Sequence, residues 1–341
     1  MKKMRWSVVF IACVFLILVG YVFFVDDPEK IYAALKESKP YFLILAAICM
    51  VGYWICEALC QFYILRSCES RLKFRQIVRV TMIGQLFNCI TPSASGGQPM
   101  QAYVMNKYGV SVGEATCSLL MRFAVYQTVM VLYTFIILLF KLSYFTQTIS
   151  AFSSLSVIGF TVNLVVLVVL LLCCFYPNLC VKIVQVIINL GAKIKLVKNK
   201  EKIIDRLDKE VENFNSTFRS FKGGFKQLGI SALFAAVQLT LYFMVPFFIC
   251  QALSVNINFF DSLALAAFTF LLSSFVPLPG GSGGAEGGFL LFFGGQFDAA
   301  GKSVAVAILL WRIMTFYLPI LCGSVFYLTN RSKGDKKAED L

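Results

Sequence analysis

The chain has 341 residues, 59% of them hydrophobic and 14% charged, with a net charge of +13 and a mean hydropathy of +0.78. Soluble domains hold roughly half apolar and a quarter charged residues, so these values exclude an ordinary soluble fold and indicate a polytopic membrane protein. Histidine is absent, which removes histidine proton relays, His-ligated metals and Ser-His catalysis. The 12 cysteines fall mostly inside apolar runs without paired metal-ligand spacing, so buried free thiols are expected and no metal or other cofactor.

Lys2, Lys3 and Arg5 precede an uncharged run from Trp6 to Val25, about the 20 residues that cross a bilayer. Asp26-Asp27-Pro28 offers no small-residue cleavage site, so a retained first span is expected. Tyr41 to Leu65 returns inward with Glu57 as its only charge, close enough to the cytoplasmic end to reach toward water. It ends at a basic cluster: Arg66, Arg71, Lys73, Arg75 and Arg79.

Val80 to Asn106 carries no charge, yet Thr91-Pro92 and Gly96-Gly97-Gln98-Pro99 interrupt its middle. A hairpin over 80–106 that enters from the cytoplasm and returns there fits better than a span. Ala115 to Phe140 follows with Arg122 as its only charge, then the uncharged Ala151–Tyr176. These elements make up the first half, about 1–150, and its sequel.

The hydrophilic connection 177–227 places Ile203, Leu207, Val211, Phe214, Phe218, Phe221 and Phe225 at steps of three and four, the spacing of one helical face. Its lysines suit the inner leaflet and its acids suit a solvated face, so the amphipathic segment 200–226 receives no function. The second half, about 228–328, holds a span from Leu228 to Val255, a second hairpin over 261–295 and a span from Ser303 to Leu328 with Arg312, before a basic cytoplasmic tail, 329–341.

Two stretches organise this chain. Phe275-Val-Pro-Leu-Pro-Gly-Gly-Ser-Gly-Gly-Ala-Glu-Gly-Gly-Phe289 sets helix breakers and one carboxylate, Glu286, inside a membrane-buried run. A weaker copy is Phe87-Asn-Cys-Ile-Thr-Pro-Ser-Ala-Ser-Gly-Gly-Gln-Pro99. Aligning Pro92 with Pro279 sets Ser95-Gly96-Gly97 against Ser282-Gly283-Gly284 without a gap, and each copy precedes a span holding one arginine. Matched broken segments in two halves point to a transporter-type binding site. An interrupted backbone survives in lipid only where protein surrounds it or a polar cavity faces it.

Of the 31 basic residues, all but seven fall in segments that one orientation puts in the cytoplasm; Lys30, Lys36, Lys39, Lys141 and Lys302 lie outside and Arg122 and Arg312 within spans. That asymmetry predicts both termini inside a cell (plasma) membrane. The charge therefore reflects orientation and anionic lipid, and nucleic acid is not an expected partner. The expected fold is a single all-α polytopic membrane domain, 1–341, with about six spans and two re-entrant broken-helix hairpins in an inverted-topology repeat.

A phosphate crossing the hydrocarbon core needs protein donors in place of water. Half-helices starting near Gly96 and Gly283 would aim N–H groups and positive dipole ends at the midplane. Arg122 and Arg312 add bidentate phosphate recognition, and Ser95 and Ser282 add hydroxyls. The substrate-binding set is thus Ser95, Gly96, Gly97, Arg122, Ser282, Gly283, Gly284, Glu286 and Arg312. Two structural alternatives stand beside it: the arginines neutralise Glu57 and Glu286, or the glycines serve close helix packing. No paired acids, nucleophile-base pair or metal cluster appears at chemical spacing, so an enzyme is not expected.

At the Thr91-Pro92 and Gly96-Gly97 turn, the Pro277-Leu-Pro-Gly-Gly-Ser-Gly-Gly-Ala-Glu286 turn, and Trp311-Arg312 with Tyr317 and Pro319, the chain resembles the membrane domain of the lysylphosphatidylglycerol synthase/flippase family. The resemblance covers nearly the whole chain. It implies translocation of a phospholipid, with an anionic or aminoacylated headgroup, or of a similar lipid-linked anion between leaflets. Members that synthesise aminoacylated lipid carry a large soluble domain, whereas this chain ends at Leu341, so synthesis is not expected. The family often has an acid beside the first-half arginine, where this chain has Met121-Arg122. A proton- or ion-coupled carrier of a small polar solute with Glu286 as coupling group, and an accessory subunit of a lipid-modifying enzyme, are the alternatives; a homo-oligomer is compatible with either.

Overall fold

The computed structural model describes residues 36–66, 71–148, 152–175, 224–274 and 276–339. Among these the regular structure is all helical: α1 Pro40–Leu65, α2 Phe74–Ile90, α3 Gly97–Lys107, α4 Val112–Thr148, α5 Phe152–Phe175, α6 Gly224–Ala252, α7 Phe259–Ser273, α8 Gly284–Ala299, α9 Val304–Arg312, a π-helical turn Ile313–Tyr317, and α10 Leu318–Glu339. Among the described residues, four stretches are long and apolar enough to cross a membrane: Pro40–Leu65, Val112–Phe140, Lys226–Ala252 and Val304–Thr329. The expected first span, Trp6–Val25, and the amphipathic segment up to residue 223 lie outside the described residues.

Several element boundaries differ from the sequence reading: α2 begins at Phe74 rather than Val80, and α6 at Gly224 rather than Leu228. The helix expected over 115–140 runs from Val112 to Thr148, because no proline or glycine interrupts it after Gly113. The tail beyond Leu328 continues α10 through Glu339, as its lysines and alanine sustain helix.

The central contact is between α1 and α6, which run antiparallel. The Lys39 N–H at the start of α1 donates to the Ala252 carbonyl at the end of α6 (2.9 Å), while Cys60 Sγ donates to the Ser231 carbonyl near the other ends (3.2 Å). Around this pair, α4, α7, α8 and α9 bury one apolar core that includes Phe243, Phe268, Phe289, Phe293 and Trp311. A second core of Ala58, Ile77, Ile83, Val104 and Leu119 sits under α2 and α3. Gly323 lets α10 rest directly on α2: a Cβ there would lie 2.6 Å from the Met82 carbonyl. Small residues at such crossings are how membrane helices gain close packing. The outward faces of α4 and α5 are apolar and exposed, including Leu132, Phe135, Val165 and Val169, which suits lipid contact.

The breaks at the two proline-glycine stretches fall where the sequence put them, and they share a backbone form. After Pro92, Ser93 and Ala94 take left-handed dihedrals (φ 50° and 53°); after Pro279, Gly280 and Gly281 do the same (φ 63° and 61°). Both turns close with equivalent hydrogen bonds, Ser95 N–H to the Pro92 carbonyl (3.1 Å) and Ser282 N–H to the Pro279 carbonyl (3.3 Å). Pro92 and Pro279 pair with each other as an isolated antiparallel bridge, so the two turns meet. Proline has no N–H, so the residues flanking each proline must supply the polar contacts of that bridge.

The shared form generates a test. Left-handed backbone costs an L-residue about 1–2 kcal/mol, so Ala94→Gly is expected to leave thermal stability unchanged or raised. Gly280→Ala meets both that cost and the Phe316 ring, 2.2 Å from the added Cβ, and is expected to lower stability in the same thermal-shift measurement.

Candidate functional site

Each intramembrane arginine has found a carboxylate, but the two pairs are built differently. In the second half, Arg312 ends α9 and is 4% exposed. Its Nε donates to Glu286 Oε1 (2.6 Å), Nη1 to the Gly280 carbonyl (2.9 Å) and Nη2 to Ser282 Oγ (3.4 Å). The other carboxylate oxygen, Glu286 Oε2, accepts the Gly283 N–H (2.7 Å), and Ser282 Oγ donates to the Pro279 carbonyl (2.8 Å). The guanidinium also lies over the Phe316 ring, 5.1 Å from its centroid. This arrangement is a clasp. Arg312 ties together both ends of the 279–286 turn, and Glu286 occupies the positive start of α8 where an anion would otherwise sit.

In the first half the carboxylate comes from a different helix. Glu57 of α1, 2% exposed, accepts from Arg122 Nη1 of α4 (2.8 Å) and from Gln85 Nε2 of α2. Arg122 Nη2 donates to Gln101 Oε1 of α3 at 3.3 Å. One turn along the same two helices, Gln61 Nε2 donates to Ser118 Oγ (3.0 Å), since Glu57/Gln61 and Ser118/Arg122 are spaced four apart. Two buried polar atoms of this cluster have no protein partner: Arg122 Nε, a donor, and Gln61 Oε1, an acceptor. Buried polar groups are ordinarily satisfied, so the donor and the acceptor left over in this seam are the groups with which a polar guest would pair.

Between the pairs lies a line of tyrosines. Tyr126 stands within electrostatic reach of Glu57, Arg122 and Tyr242. Tyr53 lies near Tyr126, Glu57 and Gln238, and its ring lies 5.5 Å from that of Tyr242. Tyr242 lies near Thr315 and Arg312. All three residues, on α1, α4 and α6, are partly buried. The polar groups therefore run from Glu57–Arg122 to Arg312–Glu286.

The sequence-derived set is partly brought together. Ser282, Gly283, Glu286 and Arg312 form one network, but its groups are satisfied internally, so Ser282 and the Gly283 N–H are not free donors for a ligand. Gly284 is required for packing, as a Cβ would lie 2.3 Å from Val276 Cγ2. The Gly96 N–H is likewise taken, by Thr91 Oγ1 (2.9 Å), and a Cβ on Gly97 would collide with Asn88 Oδ1. At Gly96 and Gly283, where the sequence reading placed free amides, each of these two amides is capped by a side chain of its own turn. Ser95 is exposed, close in the chain to Pro92. Glu57 does not reach out to water, because Arg122 and Gln85 hold it inside. Sequence reasoning missed Gln61, Gln85, Gln101 and the tyrosines; the four-residue spacing of Glu57/Gln61 and Ser118/Arg122 was the available signal.

Comparison with known proteins gives consistent relatives. The family description "Lysylphosphatidylglycerol synthase TM region" matches residues 8–323. A UPF0104 membrane protein of Archaeoglobus fulgidus is 24% identical over 326 residues, covering 89% of this chain and 91% of its own. One from Methanocaldococcus jannaschii is 22% identical over 322 residues, with 91% and 90% covered.

The two pairs differ in what their loss should do. Removing one partner of a buried pair costs about 3–5 kcal/mol, so Glu286→Gln or Arg312→Gln is expected to lower the melting temperature strongly. The double variant should cost less than the two added together. Additive losses in that double-mutant cycle would show that the pair is not the clasp.

Proposed function

We propose that this chain, which belongs to the lysylphosphatidylglycerol synthase transmembrane-region family, is a translocase that moves a phospholipid or lipid-linked anion between leaflets. The observation that supports this reading best is the Arg122 cluster. It is a guanidinium held only part-way by protein acceptors, with one N–H and one nearby carbonyl oxygen unpartnered, at one end of a polar line through apolar helices. A headgroup phosphate could accept from Arg122, and an ammonium or hydroxyl could donate to Gln61. The lipid tails would remain outside in the bilayer. On this reading α2–α3 and α7–α8 are re-entrant hairpins that meet at Pro92 and Pro279, the full chain has about six spans, and both termini face the cytoplasm of a plasma membrane.

Transport without bond chemistry accounts for the arrangement: the polar groups are donors and acceptors along a route. The carrier alternative draws on one specific observation, the tyrosines that stand near Glu57–Arg122 and near Arg312. It differs in placing the coupling on Glu286, whose two oxygens are already held by Arg312 and Gly283.

Reconstitution into vesicles with headgroup-labelled lipids tests the reading. Wild-type protein is expected to speed transbilayer movement of an anionic phospholipid. A charge-assisted hydrogen bond is worth about 1.5–3 kcal/mol, so Arg122→Gln should slow it by roughly ten- to a hundredfold while Arg122→Lys retains part of the rate. Equal rates with and without protein for every lipid would reject a translocase.

A further inference from the structure

A groove of about 480 Å³ opens between α3 and α4, in the size range of small-molecule sites. One wall is the stripe Gln98, Ala102 and Asn106 with Pro99 and Tyr103; the other is Val112, Thr116, Leu119 and Leu120. The small side chains of Ala102 and Thr116 leave its middle unfilled. At its mouth, Tyr103 and Val112 are each 54% exposed. Lys107 Nζ lies over the Tyr103 ring, 4.8 Å from the centroid, which fixes a cation at the rim.

Behind the groove is the Arg122 cluster. Gln101 stands one turn after Gln98 on α3, and Arg122 one turn after Leu119 on α4, both lining residues, so the 3.3 Å contact between Gln101 Oε1 and Arg122 Nη2 lies at the inner side of the groove. That contact is long for a charge-assisted hydrogen bond, which makes it a weak latch. Gly84 provides the space in which Gln101 lies: a Cβ there would be 2.3 Å from Gln101 Nε2. On the inner side, Arg122 Nε is buried without an acceptor.

We infer that the α3–α4 groove is a lateral portal that takes a phospholipid with an anionic headgroup, its acyl chain in the groove, its phosphate first at Lys107 and then, past Gln101, at Arg122. This rests on the translocase reading and names its entrance. The occupant follows from chemistry. The apolar walls suit a hydrocarbon chain, the lysine at the rim suits a phosphate, and an open apolar groove on a membrane protein faces lipid tails. Opening requires only that Gln101 exchange Arg122 for another donor while phosphate replaces Gln101.

Full-length protein in phosphatidylcholine vesicles containing phosphatidylglycerol can be photolabelled with phospholipids carrying a diazirine acyl chain, with adducts mapped by peptide mass spectrometry. Adducts are expected to concentrate on residues 98–120 relative to the Leu132 and Phe135 face of α4. Ala102→Trp, which fills the groove, should reduce groove labelling by at least about fivefold, an affinity change of roughly 1 kcal/mol. Labelling at Leu132 and Phe135 should be unchanged, and headgroup-labelled phosphatidylglycerol should cross more slowly. Val112→Trp, at an exposed position of the mouth, should do the same even if Ala102→Trp folds poorly. Lys107→Gln should lower labelling by phosphatidylglycerol more than by phosphatidylcholine. Evenly spread adducts in the wild type, or groove labelling unaffected by both tryptophans, would overturn the portal. Groove labelling blocked by tryptophan in a protein that translocates no lipid would instead reject the translocase reading and leave a lipid site.

Discussion

An arginine between apolar helices cannot shed its charge, and in a low-dielectric surrounding that charge must be met by acceptors. Both halves of the molecule are arranged around that requirement. Arg312 meets it with a carboxylate, a backbone carbonyl and a hydroxyl from one turn, so the 279–286 break is held in a single shape. Arg122 meets it with groups from α1 and α3, while α2 supports the carboxylate. The first arrangement fixes a backbone, whereas the second joins helices that could separate.

That difference explains why an internal repeat need not work symmetrically. The two proline turns share dihedrals, closing hydrogen bonds and a mutual bridge, yet one is built with glycines where the other strains Ser93 and Ala94. Strained turns persist where surroundings hold them, and here the holder is the other turn. The glycine-rich copy carries its own carboxylate at the start of α8; the other copy has Pro99 at the aligned position and borrows Glu57 from α1. A fixed clasp on one side and an assembled, incompletely satisfied cluster on the other give the polar line a rigid end and an adaptable end.

Much of this was legible in the sequence because membranes make the relevant signals loud. Uncharged runs bounded by lysine and arginine gave the helices, and Pro92 and Pro279 marked breaks that no neighbouring residue could repair. The partnering of Arg312 with Glu286 and of Arg122 with Glu57 was among the expected alternatives, since a charge within an apolar span calls for a counter-charge. What remained hidden depended on tertiary register. Nothing in the chain order states that Gln85 of α2 faces Glu57, or that Gln101 of α3 faces Arg122. The capping of Gly96 by Thr91 and of Gly283 by Glu286 was equally hidden, because a cap depends on the path of the turn. The relation of Gln101 to Gly84 was unreadable for the same reason: a glycine in an apolar helix signals close approach without saying of what.

The central claim is that the Arg122 cluster takes the headgroup while the Arg312 clasp stays closed. A high-resolution structure of the protein in lipid nanodiscs containing an anionic phospholipid addresses it directly. Headgroup density is expected within hydrogen-bonding distance of Arg122 Nε, with the Glu286–Arg312 pair intact. Headgroup density at Arg312 with that pair broken, and none at Arg122, would contradict it.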